Sequence, residues 1–246
     1  MSEELGKIEK PPVEDFKAGR KLFFIPLVFP NPEFPEEFQE KYNHYWEQAS
    51  SQVENLEAKL GPATHIYHEL VSDKGEEAAL TLSTLKAGSL RIVRSRMEKG
   101  AAFESTENAE ILSELMDWSR CLSLGLQNKD VFSKVYGFYN EAGKKRQEHI
   151  SRQINDTLKD NEIGILFMTE GHHVQFNPDI RVFYISPPAL DEIKRWVRDY
   201  EAKAEEEGLA LGGDCHEQGR KQRSRKDRMP FHETPPTNRI ATSVPG

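Results

Sequence analysis

Residues 163–188 constrain the fold more than any other part of the chain. They read as an apolar strand (Ile163–Met168), a polar tip (Glu170-Gly171-His172-His173), a second strand over 181–185 and a helix start at Ser186-Pro187. Serine caps a helix by accepting from free backbone N–H groups, and proline fits the first turn because its missing N–H would have had no partner there. A strand, a short tip, a strand and a helix in close succession suit a sheet flanked by helices. In such sheets reactive side chains gather at strand-to-loop junctions.

The rest of the chain repeats the alternation. Residues 21–30 (KLFFIPLVFP) form a short apolar run closed by Pro30, Pro32 and Pro35; Pro26 removes one ladder bond and favours an edge strand or a bulge. Phe38, Tyr42, Trp46, Ala49, Val53, Leu56 and Leu60 then recur at spacings of three and four, the stripe of an amphipathic helix stopped by Gly61-Pro62. Residues 63–71 alternate as a second strand, with His65, Tyr67 and Glu69 on one face and Ile66, His68 and Leu70 on the other. A helix over 75–86, a β-like run over 90–93, and a helix capped by Ser105 or Thr106 follow. That last helix is expected to bury Ile111, Leu115, Trp118 and Leu122, with Glu107 and Glu110 favouring its positive end. A long helix spans 130–159, and the final helix buries Leu190, Ile193, Val197 and Tyr200. Strands alternating with helices predict a layered α/β domain with a mostly parallel sheet over residues 20–207.

Charged residues make up 30% of the 246 and hydrophobic ones only 37%, so part of the chain adds little to a core. Residues 1–19, with alternating Glu and Lys, and 208–246, with Gly212-Gly213 and four prolines, have no apolar period and are expected to be disordered. A net charge of −8 disfavours a domain that binds nucleic acid over its whole surface. Two distant cysteines, Cys121 and Cys215, do not make a disulfide framework, which points to a reducing cytoplasm. Neither a signal peptide nor a membrane span is expected.

Five constellations carry candidate chemistry. At the tip, His172 with Glu170 suits metal binding or general acid–base work, with His173 as a secondary candidate, since adjacent side chains on extended backbone point opposite ways. A solvated loop explains the same residues. His68-Glu69 closes the second strand. If that strand runs parallel to the third, His68, Glu69 and His172 share one sheet edge and form a ligand set for a divalent metal. Arg146 lies in the apolar stripe of the long helix with Tyr139, Gly143, Ile150 and Ile154, so it either finds an anionic partner, from the protein or from a small anionic substrate, or snorkels to the rim beside Lys144 and Lys145; His149 stands beside it. Glu104 and Glu107, just before a helix, are explained by its dipole. In the tail, Arg220, Lys221, Arg223, Arg225, Lys226 and Arg228 suit nucleic acid or an acidic protein, or simply keep the segment solvated.

The order of features from Arg146 to Ile185 resembles the C-terminal part of the TraB/ChaN/TIKI group of α/β proteins. An arginine-bearing helix (Arg146) precedes an apolar strand (Gly164-Ile165-Leu166-Phe167), a Gly-His tip (Gly171-His172) and another short strand. His68 or Glu69 is the nearest match to that group's early histidine or glutamate, although His65-Ile66-Tyr67-His68 lacks the glycine of a Gly-x-x-His motif. The resemblance implies metal-dependent hydrolysis or ligand binding at the C-terminal edge of the sheet. The alternative is a non-enzymatic module that binds partners through its basic tail.

Overall fold

Every strand among the described residues is parallel to its neighbours, so the connections between them must cross over the sheet. The computed structural model describes residues 18–206. Its strands are β1 (Arg20–Pro26), β2 (His65–His68), β3 (Ala102–Phe103), β4 (Ile163–Met168) and β5 (Ile180–Tyr184). Its helices are α1 (Glu36–Leu60), α2 (Gly75–Thr84), α3 (Leu90–Met97), α4 (Ala109–Ser123), α5 (Lys129–Thr157) and α6 (Pro188–Glu206). The strands lie in the order β3-β2-β4-β1-β5. The layered α/β expectation therefore holds. The basic tail, Cys215 and the segment 208–246 lie outside the described residues, as does all but the end of segment 1–19.

Each strand feeds two cores because successive side chains alternate across the sheet. Phe23, Ile25, Ile66, Ile165 and Phe167 face one layer, where α1, α2, α3 and α6 pack. Leu22, Phe24, Tyr67, Leu166 and Met168 face the other, where Ile150, Ile154 and Leu158 bring in the second half of α5. On α1 the stripe Phe38, Tyr42, Trp46, Ala49 and Val53 is buried as its spacing predicts, joined by Tyr45, whose hydroxyl donates to the Pro26 carbonyl. Gly88 is required under this helix: a Cβ there would stand 2.1 Å from Trp46 Nε1. Its own N–H donates to the Tyr42 hydroxyl at 2.8 Å.

Four local expectations give way to the tertiary structure. β1 is flanked by β4 and β5, and Pro26 is its last residue; the ladder to β4 continues past it through the Leu27 N–H, which donates to the Met168 carbonyl at 2.9 Å. Residues 90–93 belong to α3: Ile92, Val93 and Arg96 form a buried helical stripe, so the β-branched pair follows its packing and not its propensity. The cap of α4 is Asn108, whose side chain accepts from the N–H groups of Glu110 and Ile111, both at 3.0 Å. The earlier residues knit loops together instead: Ser105 Oγ donates to the Ser72 carbonyl at 2.7 Å, and Thr106 Oγ1 accepts from the His68 N–H at 2.9 Å. Finally, the expected stripe Ile111, Leu115, Trp118 and Leu122 does face inward on α4, but it meets only α5 and stays half-buried outside both cores.

Candidate functional site

Parallel strands end at the same edge, so the loops after β2, β3 and β4 meet at one rim. Glu69 follows β2, Glu107 follows β3, and both carboxylates are buried. Arg146 reaches them from α5. Its Nη2 donates to Glu69 Oε1 at 2.8 Å, its Nε donates to both oxygens of Glu107 at 3.0 Å, and its Nη2 makes a further short bond to Glu107 Oε1. Burial alone would lower the arginine's pKa, but Glu107 and Glu69 outweigh it and hold the guanidinium charged. The second oxygen of Glu69 accepts from the Thr169 N–H at 2.7 Å, which ties the end of β2 to the end of β4. Glu107 Oε1 also accepts from the Leu70 N–H at 3.1 Å, and Leu70 takes a left-handed φ of 67° to present it. Such a backbone costs about 1–3 kcal/mol in a non-glycine residue and persists only where its surroundings hold it.

His68 is equally committed. Its Nδ1 lies 2.6 Å from the Glu69 carbonyl, and its Nε2 lies 2.9 Å from Ser89 Oγ. A carbonyl can only accept, so Nδ1 carries the proton and Nε2 accepts from the serine hydroxyl. The ring stacks on Phe167 at 5.4 Å. Burial lowers its pKa to about 4, against the smaller opposing pull of Glu69. Because the folded value lies below the ordinary 6.5, the unfolded chain takes up the proton first. The stabilisation from keeping His68 neutral is complete above pH 6.5 and is lost as the pH falls towards 4, with a slope of up to about 1.4 kcal/mol per pH unit. Urea unfolding of His68→Gln at pH 7 and pH 5 is expected to lose less stability over that interval than the parent chain. Equal losses would remove His68 from the acid response.

His172 lies on the other face. It is half-buried, 5.0 Å from the ring of Phe24 and 5.8 Å from that of Phe176. Phe24 packs with the α5 layer while Phe167, beneath His68, packs with the α1 layer, so the two histidines share the edge but not a face. The Val174 N–H donates to His172 Nδ1 at 3.2 Å, which leaves the proton of the neutral ring on Nε2. Burial lowers the pKa of His172, Glu69 pulls it up, and His173 pushes it down. Glu170, exposed, accepts from the Tyr184 hydroxyl and from Lys194 Nζ at 2.7 Å. His173 is exposed, and its carbonyl accepts from the Gln175 side chain at 3.3 Å. His149 is partly buried on α5; burial lowers its pKa and the charge of Glu107 raises it.

The rim thus joins Glu69, Glu107 and Arg146 into one buried network, and places His172 within reach of the Glu69 charge. Among the described residues, no group of three His, Cys, Asp or Glu side chains converges as a metal site would need. Glu107, assigned to a helix dipole on sequence grounds, is a full member of the network. The signal was present, because a buried arginine demands a carboxylate and Glu107 ends the segment before a helix. Ser89, Thr106 and Tyr184 had no such signal.

The α5 layer stops short of β5. Val182 and Tyr184 pair in register with Leu22 and Phe24, yet Tyr184 remains 50% exposed. Its ring stacks on Phe24 at 5.1 Å, continuing the wall that His172 and Phe176 begin. The site is therefore a rigid charged floor beside an open aromatic shelf.

No family model, curated protein or solved structure matches this chain.

Proposed function

We propose that this chain is a ligand-binding α/β protein whose site is the aromatic shelf at the C-terminal edge of the sheet. The observation that carries this reading is the setting of His172: a half-buried, neutral ring with Nε2–H free to donate, flanked by Phe24, Phe176 and the exposed Tyr184. Such a group suits a planar ligand with a hydrogen-bond acceptor at its rim. Arg146 supports an uncharged ligand over an anionic one. Its planar fork is spent on Glu69 and Glu107, and two carboxylates against one guanidinium leave negative charge behind the shelf. Glu170 and Lys194 offset one another at the outer lip.

Metal-dependent hydrolysis, the activity implied by the TraB/ChaN/TIKI resemblance, is the second reading, favoured by one observation: the charge of Glu69 raises the pKa of His172, so the two face the same rim. A divalent ion bound by both would have to compete with Arg146 for Glu69, and it would need His172 to move its proton to Nδ1. Cytoplasmic residence fits either reading, since the described cysteine, Cys121, is a free thiol and no described helix is long and apolar enough to cross a membrane.

The test uses two matched probes, benzamide and benzoate, in saturation-transfer NMR on the full chain. Benzamide is expected to receive saturation, benzoate to receive less, and the signal to fall at least about tenfold in His172→Ala, the loss of one hydrogen bond and one ring contact. Absence of transfer, or transfer unchanged in that variant, would sink the shelf. Near-stoichiometric divalent metal in natively purified protein, lost in His172→Ala, would replace this reading with the hydrolase.

A further inference from the structure

The α4–α5 hairpin is the one pair of helices here whose apolar residues greatly exceed what they cover. α4 leaves Leu112, Leu115, Met116, Trp118 and Leu122 only half-buried, whereas α1 fully buries seven residues. In α5 nothing before Ala142 is buried. The two helices pack on each other along one seam: Trp118 stacks on Phe138 at 4.8 Å, Leu115 Cδ1 lies against Gly143, and Lys145 pairs with Glu114 at 3.6 Å. A two-helix seam cannot cover both flanks. Phe132 and Tyr136 stack nearly parallel on the outside, with Phe132 44% exposed, and Leu124 at the tip is 78% exposed. Of the eight large hydrophobic residues exposed among the described residues, five fall between Leu124 and Phe138. Isolated exposed apolar residues need no explanation, but a concentration on one element marks an interaction surface.

The charges select the occupant. α4 has three acids (Glu110, Glu114, Asp117) against one base (Arg120), a net charge of −2. The facing part of α5, residues 129–145, has four bases (Lys129, Lys134, Lys144, Lys145) against two acids (Asp130, Glu141), a net charge of +2. Glu114–Lys145 and Asp117–Arg120 pair within one hairpin, but Glu110 on α4 and Lys129 and Lys134 on α5 have no ion-pair partner among the described residues. These opposite charges complement one another under a two-fold rotation that lays each α4 beside the α5 of the other copy. A lipid surface is disfavoured by the same pattern, since burying these flanks in acyl chains would strip ten charged side chains of water. We propose that the hairpin is a homodimerisation element: two copies pack their hairpins into an antiparallel four-helix bundle, with Phe132 and Tyr136 in its core and Leu124 covering it at each tip. The helical stripe on α1, which could have served the same purpose, is already spent on the sheet. Arg146 and His149 sit further along α5, so the dimer would also brace the helix that holds the buried network.

Sedimentation velocity on the full chain between about 5 and 50 µM tests this, over the concentrations where interfaces of ordinary size form. The expected species has twice the 28.2 kDa mass of one chain. Phe132→Glu and Leu124→Glu, each exposed and outside both cores, are expected to keep the parent's circular dichroism and melting temperature while raising the dimer dissociation constant at least about thirtyfold, as the loss of a buried interface residue does. A monomer throughout the range would overturn the proposal. So would a dimer that survives both substitutions, which would place the interface elsewhere. A monomeric parent that co-sediments with phosphatidylcholine–phosphatidylserine vesicles, and loses this in Phe132→Glu, would assign the surface to lipid instead.

Discussion

Replacing Arg146 by methionine is expected to lower the unfolding free energy by about 3–5 kcal/mol, because it leaves two buried carboxylates without their counter-charge. The magnitude follows from the geometry. Glu107 is almost wholly enclosed, Glu69 nearly so, and the guanidinium supplies bonds to both. Arg146→Lys is expected to recover only part of the loss. A single ammonium cannot reproduce the fork that spans Glu69 and Glu107 at once. Joint replacement (Arg146→Met, Glu69→Gln, Glu107→Leu) should regain more stability than Arg146→Lys, since it removes the buried charges instead of stranding them. Urea unfolding of the four proteins at neutral pH checks the series. A cost below about 1 kcal/mol for Arg146→Met would mean that water reaches the pair, and that the network is an ordinary surface salt bridge.

Phe167→Ala is expected to cost a similar amount, about 3–5 kcal/mol, by a different route. Phe167 is completely buried in β4, between β2 and β1, and supports the rings of both Trp46 and His68. Truncating it leaves a cavity that strands on either side cannot close, since their register fixes their spacing. It also removes the shelf under His68, so the stability lost between pH 7 and pH 5 should shrink along with the total. Thermal and urea unfolding at the two pH values measure both effects. A large loss of stability with an unchanged acid response would show that the Ser89 and Glu69 contacts alone keep His68 neutral.

The two routes show how far the amino-acid pattern reaches into the site. Arg146 stood in an apolar stripe, and that position alone singled it out for a buried anionic partner or a place at the rim. The pattern did not reveal that the protein supplies both partners itself. The clue to Glu107 was weak because a glutamate before a helix satisfies the dipole wherever it lies. His68 and His172 were both legible as histidines ending strands. Placing them on opposite faces required knowing that His68 turns towards Phe167 and His172 towards Phe24. That choice depends on the layer to which each strand face belongs. β2 was legible within the alternation of 63–71, but the two residues of β3 offered no periodicity, and the register of neither strand could be read.

The hairpin marks the sharpest difference between the two kinds of information. Ile111, Leu115, Trp118 and Leu122 are as regular a stripe as Phe38, Tyr42, Trp46 and Ala49, and local periodicity treats them alike. One stripe meets the sheet and is buried; the other meets only α5 and stays half-buried. Local patterns by themselves determined most of the elements and the mostly parallel α/β class, and they singled out Arg146, because these follow from backbone geometry and from the cost of burying a charge. The tertiary structure alone decided which apolar faces find one another, which face of the sheet receives each histidine, and where aromatic surface is left open. Those outcomes depend on strand order and crossover connections, which join residues as distant as Glu69 and Thr169 through a single hydrogen bond.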